Sequence, residues 1–277
     1  MRLSRLTVPT FILCLITLLS SCSENSSESE FGRLSIQLTD APFPHELVSE
    51  ANVTIFKVDA RQNDSEDETG YVTLMEDEIE INLLELTNGV TETLVDTEIP
   101  VGNYDLVRVY VKGVNVVMTG GESYELDVPS GEQTGIKVFI DPAIEVAGGL
   151  SADLLLDFDV SRSFVPKGNY PDYNGFNFNP VIRASNLSTA GTLQGKILTP
   201  DADTEIAVDG ASVTVYDGDT EITATASGSD GGYVIMGLPA GIYNIVVTKA
   251  GFITSEEVEV EIVAANKTVT DFQLSPE

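Results

Sequence analysis

The chain has 277 residues, of which 44 are acidic and 14 basic, and its formal net charge is −30. This charge argues against nucleic acid and against an anionic membrane surface as partners, because both would repel the chain. The length suffices for two ordinary domains, and Cys14 and Cys22 are the only cysteines.

A secretory leader is predicted at the N-terminus. Arg2 and Arg5 precede an apolar run over residues 8–19, which is too short for a bilayer span of roughly 20 apolar residues. The run ends in Leu19-Ser20-Ser21-Cys22, which resembles the bacterial lipobox. The resemblance implies that residues 1–21 are removed and that a diacylglycerol is attached to the thiol of Cys22. The alternative is an ordinary signal peptide that happens to carry a cysteine. Without the leader Cys22 is the only cysteine, so no intrachain disulfide is expected.

Residues 22–31 are predicted to form a flexible acidic tether. Residues 23–30 are all polar and contain three glutamates, so they offer nothing to pack. The segment is similar to the acidic signal that sends Bacteroidetes-type lipoproteins to the outside of the outer membrane. This resemblance implies a lipid-anchored outer-membrane protein on the cell surface, with the periplasmic face as the alternative.

Downstream, apolar residues recur with a period of two. Glutamates alternate with Val258, Val260 and Ile262, and residues 78–83 repeat the pattern, which predicts strands with one buried and one wet face. No stretch shows a sustained helical stripe, and Gly, Pro, Asn and Asp clusters separate the strands. The predicted fold class is therefore all-β, with two antiparallel β-sandwich domains over residues 32–185 and 191–275. No pattern must pair across the boundary near Ser188, so the domains are expected to fold independently.

The N-terminal domain opens with a strand that runs into Thr39-Asp40-Ala41-Pro42. Pro42 cannot continue a central strand, and Asp40 is expected to fold its carboxylate onto nearby backbone amides. With the later motifs at residues 99–104, 157–165 and 179–183, the region resembles a lipoprotein domain of unknown function that opens with Thr-Asp-Ala-Pro. That family implies no activity.

The C-terminal domain carries Asp230-Gly231-Gly232-Tyr233, a turn followed by a strand, and then residues 237–243 and Gly251-Phe252. The pattern resembles the carboxypeptidase regulatory-like domain, a prealbumin-type sandwich grouped with carbohydrate-binding-like folds. The resemblance implies an accessory domain without catalytic residues of its own. Pro239-x-Gly241-x-Tyr243 repeats Pro100-x-Gly102-x-Tyr104, which indicates two related sandwiches or a chance likeness of two turns. Gly241 is a candidate for a positive φ angle.

Few residues are candidates for chemistry. A lone histidine, His45, cannot build a zinc site or a hydrolytic triad. Asp153, Asp157 and Asp159 could supply a carboxylate pair for glycoside hydrolysis, but strand alternation predicts that they form an exposed face. The acid pairs at residues 201–203, 217–219 and 157–159 could bind calcium, yet none completes a calcium loop. We therefore expect no catalytic residue, no metal ligand and no cofactor.

An aromatic segment spans residues 170–178. Tyr170 and Tyr173 are the candidate ligand-binding residues, because their rings could stack on a sugar beside Asn and Asp side chains. The alternative is that Phe176 and Phe178 begin a core strand.

The function predicted from these features is that of a non-catalytic surface lipoprotein with a binding or adhesion role, for which carbohydrate is a candidate ligand. Its partners would be the membrane, through lipid on Cys22, and a glycan or protein ligand. A structural accessory of an outer-membrane transporter or a secreted enzyme is the alternative, and an acid-pair glycosidase is a distant third.

Overall fold

A computed structural model describes residues 29–41, 47–63, 70–128, 133–202 and 204–277. The strands of its N-terminal part are β1 (Phe31–Ala41), β2 (Val48–Gln62), β3 (Tyr71–Met75), β4 (Ile79–Asn82), β5 (Glu92–Pro100), β6 (Gly102–Met118), β7 (Ser123–Glu125), β8 (Ile136–Val146), β9 (Ser151–Asp159), β10 (Phe164–Asn169), β11 (Asp172–Phe178) and β12 (Ile182–Asn186). A 3-10 turn (Leu83–Glu85) and a one-turn helix α1 (Val160–Ser163) interrupt them. The remaining strands are β13 (Ala190–Asp201), β14 (Thr204–Ala207), β15 (Ser212–Asp217), β16 (Thr220–Ala226), β17 (Gly232–Pro239), β18 (Gly241–Thr248), β19 (Val258–Ile262), β20 (Lys267–Val269) and β21 (Phe272–Gln273).

The fold is all-β, as the period-two pattern predicted. In β19 the side chains of Val260 and Ile262 are buried, while Glu259 and Glu261, which alternate with them, are exposed. Residues of a strand point alternately to opposite faces, so this spacing places one apolar row against the core. The same reasoning explains Ile81 of β4, which is buried between exposed and half-exposed neighbours.

The N-terminal module, residues 31–186, encloses its core between two sheets. One sheet has the strand order β12-β9-β1-β5, and the other is built around β2 and β6, with β3, β4, β7 and β8 at their sides. The core takes Leu34, Ile36 and Leu38 from β1 and Val53 and Ile55 from β2. Most pairings are antiparallel, but β1 and β9 run parallel from Arg33 opposite Ser151 to Ala41 opposite Asp159.

The C-terminal module, residues 190–277, has its own core. Its sheets have the orders β14-β13-β17 and β16-β15-β18-β19, and β20 and β21 pair in parallel with β13. Leu193, Val213, Tyr233 and Ile245 are among the side chains that fill the space between them. A short turn at residues 187–189 joins β12 to β13. Each module therefore buries a separate apolar cluster.

Among the described residues, no helix is long and apolar enough to cross a membrane.

Candidate functional site

Two places gather the residues that the sequence singled out. One is the hairpin β10–β11, and the other is the junction between the modules. Cys22 and His45 lie outside the described residues, as does Asp203 of one predicted acid pair.

The hairpin carries both candidate binding residues near its turn. Asn169 lies opposite Asp172 and Gly168 lies opposite Tyr173, so the chain reverses at Tyr170-Pro171. Gly168 has φ +97°, and a Cβ there would stand 2.9 Å from the carbonyl oxygen of Asp172. Glycine permits both this backbone conformation and this close approach. Tyr170 is 66% exposed at the turn, while Tyr173 is half-buried.

The rings of the hairpin form a chain from the turn to the core. The ring centroids of Tyr170 and Tyr173 are 6.2 Å apart in an edge-to-face arrangement, and those of Tyr173 and Phe176 are 5.9 Å apart. Tyr124 of β7 contacts Phe176 at 5.9 Å, and its hydroxyl donates a 3.2 Å hydrogen bond to the carbonyl of Tyr173. Such aromatic contacts stabilise ring orientation. The outermost ring, that of Tyr170, therefore stands on a packed support.

Phe176 and Phe178 belong to the core, as the alternative interpretation of this segment had it. Phe176 is 2% exposed, and Phe178 stacks on Phe158 with the centroids 6.2 Å apart. The segment therefore offers two tyrosine rings to a ligand, together with the exposed side chains of Asp172 and Asn174.

The hairpin lies at the opposite end of the N-terminal module from the first described residues. Val101 precedes β6 and donates a 3.0 Å hydrogen bond to the carbonyl of Glu30, whereas Val116 near the other end of β6 pairs with Tyr124, which contacts the hairpin. A strand rises about 3.3 Å per residue, so the path along β6 is on the order of 45 Å.

The candidate acid pair is buried, which corrects the prediction of an exposed acidic strand face. Asp157 is 7% exposed and Asp159 is 5% exposed, while Asp153 is half-buried. The face of β9 that bears Asp157 is covered by the C-terminal module rather than by water. Gly237 of β17 approaches so closely that a Cβ there would lie 2.9 Å from the side chain of Leu155.

Asp157 links the two modules. Its Oδ2 accepts a 2.9 Å hydrogen bond from Arg183 of β12 and a 3.1 Å hydrogen bond from the hydroxyl of Thr223 in β16. Burial raises the pKa of Asp157, and Asp159 adds to this, whereas Arg183 and Thr223 act in the opposite direction. The carboxylate thus has a structural role at the module junction.

Asp159 is likewise used structurally. Its carboxylate accepts a 2.9 Å hydrogen bond from the backbone N–H of Arg162 and forms an ion pair with the guanidinium of Arg162 at 2.5 Å. The hydroxyl of Ser161 donates to it as well, at 2.6 Å. Asp159 is therefore the N-cap of α1. The cavity beside Asp157 has a volume of about 20 Å³, which is room for a water molecule and not for a sugar.

The Thr39-Asp40 motif joins distant parts of the N-terminal module. Asp40 Oδ1 accepts a 3.1 Å hydrogen bond from the backbone N–H of Val160, which is 120 residues away. The partner is a backbone amide, as expected, but one that is distant in sequence. A bond from Asp40 to a nearby amide stays a prediction. Thr39 Oγ1 lies 2.9 Å from the carbonyl of Leu86 and 3.0 Å from that of Val90. The motif ties β1 to α1 and to the loop before β5.

Asn88 in that loop contacts the other module and was missed by the sequence reasoning. Its Oδ1 accepts a 2.7 Å hydrogen bond from Val234 N–H, and its Nδ2 donates a 3.2 Å hydrogen bond to the carbonyl of Gly232. Its backbone N–H donates to the hydroxyl of Thr225 at 3.2 Å. The available signal was Asn88-Gly89, a turn dipeptide whose residues have φ +58° and +78°. The dipeptide predicts a turn, but not what the turn contacts.

The two Pro-x-Gly-x-Tyr motifs share one hydrogen bond. The Tyr104 hydroxyl donates a 2.9 Å hydrogen bond to the Pro100 carbonyl, and the Tyr243 hydroxyl donates a 3.0 Å hydrogen bond to the Pro239 carbonyl. Burial raises the pKa of both phenols. The motif is thus a structural corner in each module.

Gly241 corrects one expectation about these corners. Gly102 has φ +150°, but Gly241 is not among the positive-φ glycines. A Cβ on Gly241 would stand 3.5 Å from the Tyr243 ring, which is an ordinary contact.

The predicted acid pairs form no larger metal-binding group among the described residues. Asp201, Asp217 and Asp219 are exposed, and no three His, Cys, Asp or Glu side chains in this part of the chain are placed to share an ion.

Family comparisons agree with the two modules. A model described as domain of unknown function (DUF4382) matches residues 31–180, and the carboxypeptidase regulatory-like domain matches residues 192–275. Both resemblances drawn from the sequence are confirmed. The lipoprotein resemblance is not tested by these matches. No curated protein matches the chain.

Several solved structures share a weak likeness with the chain. The Bacillus anthracis TIE protein is 15% identical at a TM-score of 0.27, and the match covers 89% of this chain and 34% of that one. The chain therefore spans about a third of that protein. The minor pilin GBS52 of Streptococcus agalactiae is 11% identical at a TM-score of 0.29, with 88% and 96% covered. The shaft pilin SpaA of Lactobacillus rhamnosus GG is 9% identical at a TM-score of 0.26, with 89% and 98% covered. At TM-scores this low the likenesses carry no argument about function.

Proposed function

Because the chain belongs to the family of the domain of unknown function DUF4382 and carries a carboxypeptidase regulatory-like domain behind it, we propose that it is a non-catalytic, lipid-anchored binding protein of the cell surface. The lipid is attached to Cys22. The ligand is a glycan, which binds at the tip of the hairpin β10–β11.

The exposure of Tyr170 is the observation that supports binding at the hairpin. A tyrosine ring offers a flat apolar face and a hydroxyl, and such rings are enriched at binding surfaces. The ring is 66% exposed and rests edge-to-face on Tyr173. Asp172 and Asn174 beside it are exposed and can hydrogen-bond sugar hydroxyls.

The placement of the carboxylates supports a non-catalytic role. Glycoside hydrolysis by an acid pair requires two carboxyl groups on either side of a substrate cleft. Asp157 instead joins the modules, and Asp159 caps α1. A carboxypeptidase regulatory-like domain agrees with an accessory role for the second module.

A polysaccharide array tests the binding proposal. Wild type is expected to bind at least one glycan, and the Tyr170→Ala and Tyr170→Ala/Tyr173→Ala variants are expected to lose that binding. Phe139→Ala is the matched control, because Phe139 is 65% exposed on β8, outside the hairpin. Binding that survives the double change contradicts the hairpin site, and release of reducing ends contradicts the non-catalytic role. An unchanged unfolding midpoint of Tyr170→Ala shows that the fold is intact.

Metabolic labelling with palmitate tests the anchor separately. The full-length chain is expected to incorporate label and to sediment with membranes, whereas Cys22→Ala is expected to do neither. A fully processed Cys22→Ala protein that stays in the membrane fraction contradicts lipidation at Cys22.

A further inference from the structure

Three exposed apolar side chains lie close to the start of the described chain. They are Phe31 (49% exposed), Val101 (38%) and Leu150 (65%). We call this surface the tether end of the N-terminal module. We propose that the tether end lies against the lipid bilayer, with its apolar side chains in the headgroup region.

Backbone hydrogen bonds hold the three residues in one place. Val101 N–H donates to the carbonyl of Glu30 at 3.0 Å, and Gly149 N–H donates to that of Phe31 at 2.9 Å. The carbonyl of Leu150 accepts a 2.8 Å hydrogen bond from Arg33 N–H. Three separate segments of the chain therefore meet at this end of the sandwich.

The chain leaves the module from this same surface. Ser29 packs on the turn at Gly148, where any Cβ would collide with the Ser29 carbonyl oxygen. A Cβ on Gly32 would similarly collide with the carbonyl oxygen of Ala147. These glycines allow residues 29–32 to lie directly on the turn that precedes Leu150. The segment that leads back to Cys22 therefore starts at the tether end.

The length of that segment brings the tether end close to the membrane. This step rests on the proposed lipid at Cys22. The chain from Cys22 to Ser29 reaches at most about 25 Å when fully extended, and a flexible chain of this length has a typical end-to-end distance of about 15 Å. The diacyl anchor suffices to retain the protein. Contact at the tether end would instead set the orientation of the module.

Charge restricts the kind of bilayer. Glu30 and Glu145 lie beside Val101 around an open cleft of about 660 Å³, and the whole chain is strongly acidic. Anionic lipid would repel this surface. The partner is therefore a zwitterionic lipid surface, into which only the apolar tips insert. In this orientation the hairpin β10–β11 lies near the other end of β6, away from the membrane.

The absence of tryptophan from the sequence provides a direct test. A chain starting at Cys22 retains both apolar cores and can be coupled through its single thiol to maleimide lipid in phosphatidylcholine vesicles. Leu150→Trp and Val101→Trp place a unique fluorophore at the tether end. Ile242→Trp is the matched control, because Ile242 is 61% exposed on the second module.

The expected result is that brominated phosphatidylcholine reduces the emission of Leu150→Trp and Val101→Trp to about half, because side chains at the boundary between headgroups and acyl chains come close to the bromine atoms. The emission of Ile242→Trp should stay unchanged. Replacing part of the phosphatidylcholine by phosphatidylglycerol at low salt should weaken the quenching. Unquenched emission from both tether-end variants would overturn the proposal. The proposal would also be overturned if the emission shifted to shorter wavelength without quenching and the mass of the protein in solution doubled. A second copy of the chain would then cover this surface. The coupling is chemical, so a failure of lipidation at Cys22 in cells would appear in the palmitate experiment and not here.

Discussion

The side-chain amide of Asn88 pairs with the backbone of β17, accepting from the N–H of Val234 at 2.7 Å and donating to the carbonyl of Gly232 at 3.2 Å. Within the described part of the chain, β13 is the only sheet neighbour of β17. The Asn88 amide thus occupies the free edge of β17 much as a peptide group of another strand would. Free strand edges favour aggregation, and native proteins cover them. One residue of the first module therefore covers an edge of the second.

Asn88→Gly tests the contribution of this pairing. Glycine accepts the φ of +58° at this position, so the substitution removes the side-chain hydrogen bonds without straining the backbone. The expected loss in the free energy of unfolding is about 1–3 kcal/mol, measured by urea unfolding, because the partly buried N–H of Val234 loses its partner. The carbonyl of Gly232 keeps a 2.9 Å hydrogen bond from the N–H of Gly228. Asn266→Gly in an exposed turn is the control and should change stability by less than about 0.5 kcal/mol. If Asn88→Gly and Asn266→Gly lowered the free energy of unfolding equally, the hydrogen bonds of Asn88 to β17 would make no specific contribution to stability.

Stability should depend on pH through Asp157. Its pKa is raised in the folded protein, chiefly by burial. Its stabilising contribution is therefore fully present below the ordinary carboxyl pKa of about 4 and is lost as the pH rises through the raised folded value. Asn does not titrate, so the stability of wild type relative to Asp157→Asn should fall over this interval and then level off.

Asp105 provides a control whose pKa is shifted in the opposite direction. Its hydrogen bonds and ion pair with Arg61 lower its pKa. Its contribution is therefore present above about pH 4 and is lost as the pH falls through the folded value. The stability of wild type relative to Asp105→Asn should consequently fall on acidification. If both comparisons changed in the same direction with pH, the assignment of Asp157 as a buried carboxyl of raised pKa would be wrong.

The sequence predicts those features that depend on local pattern. The alternation around Val260 and Ile262 identifies a strand because one buried face suffices to produce it. The Tyr104 and Tyr243 corners are recognisable because the hydroxyl and its acceptor are four residues apart. Phe176 and Phe178 are spaced two residues apart on β11, like Val260 and Ile262 on β19, and both lie in the core.

Features that depend on contact between the modules could not be predicted from local pattern. Asp157 alternates with apolar neighbours and so resembles a wet position, but Thr223, 66 residues away, covers it. Periodicity shows that a strand has two different faces, but it does not show which other element packs on the second face. For the same reason Asn88-Gly89 indicates a turn, while nothing in the local sequence indicates that this turn contacts β17.

The two tyrosine corners should contribute independently to the stability of the protein. Tyr104→Phe and Tyr243→Phe each remove one hydrogen bond from the hydroxyl to a proline carbonyl and leave the ring in place. Each should lower the free energy of unfolding by about 1 kcal/mol. The residues lie in separate cores, so the double variant should show the sum. Tyr216→Phe, which changes a half-buried tyrosine of β15, is the control and should be close to neutral. If the double variant were no less stable than either single variant, the two corners would not contribute independently to the free energy of unfolding.

The C-terminal module should fold on its own. Its apolar cluster lies wholly between Leu193 and Leu274, so a fragment of residues 191–277 retains the entire core. The fragment should be soluble and give a β-type circular dichroism spectrum, with a lower unfolding midpoint than in the full chain because the contacts of Thr223 and Val234 are lost. A fragment that is unfolded in buffer would show that the two modules depend on each other for folding.

Two glycines of one turn region should differ sharply in their tolerance of a side chain. Gly237 has φ +72°, and a Cβ there would lie 2.9 Å from Leu155 and 3.0 Å from Ser185, both in the other module. Gly237→Ala should therefore strain the backbone and push the modules apart, at a cost of about 1–3 kcal/mol in unfolding free energy. Gly241→Ala meets only ordinary contact with the Tyr243 ring, outside the left-handed region, and should change stability by less than about 0.5 kcal/mol. In the isolated fragment 191–277 the Gly237→Ala cost should shrink but persist, because the backbone strain remains while Leu155 and Ser185 are absent. A cost that is the same in fragment and full chain would mean that the close approach of the modules at Gly237 has no influence on stability.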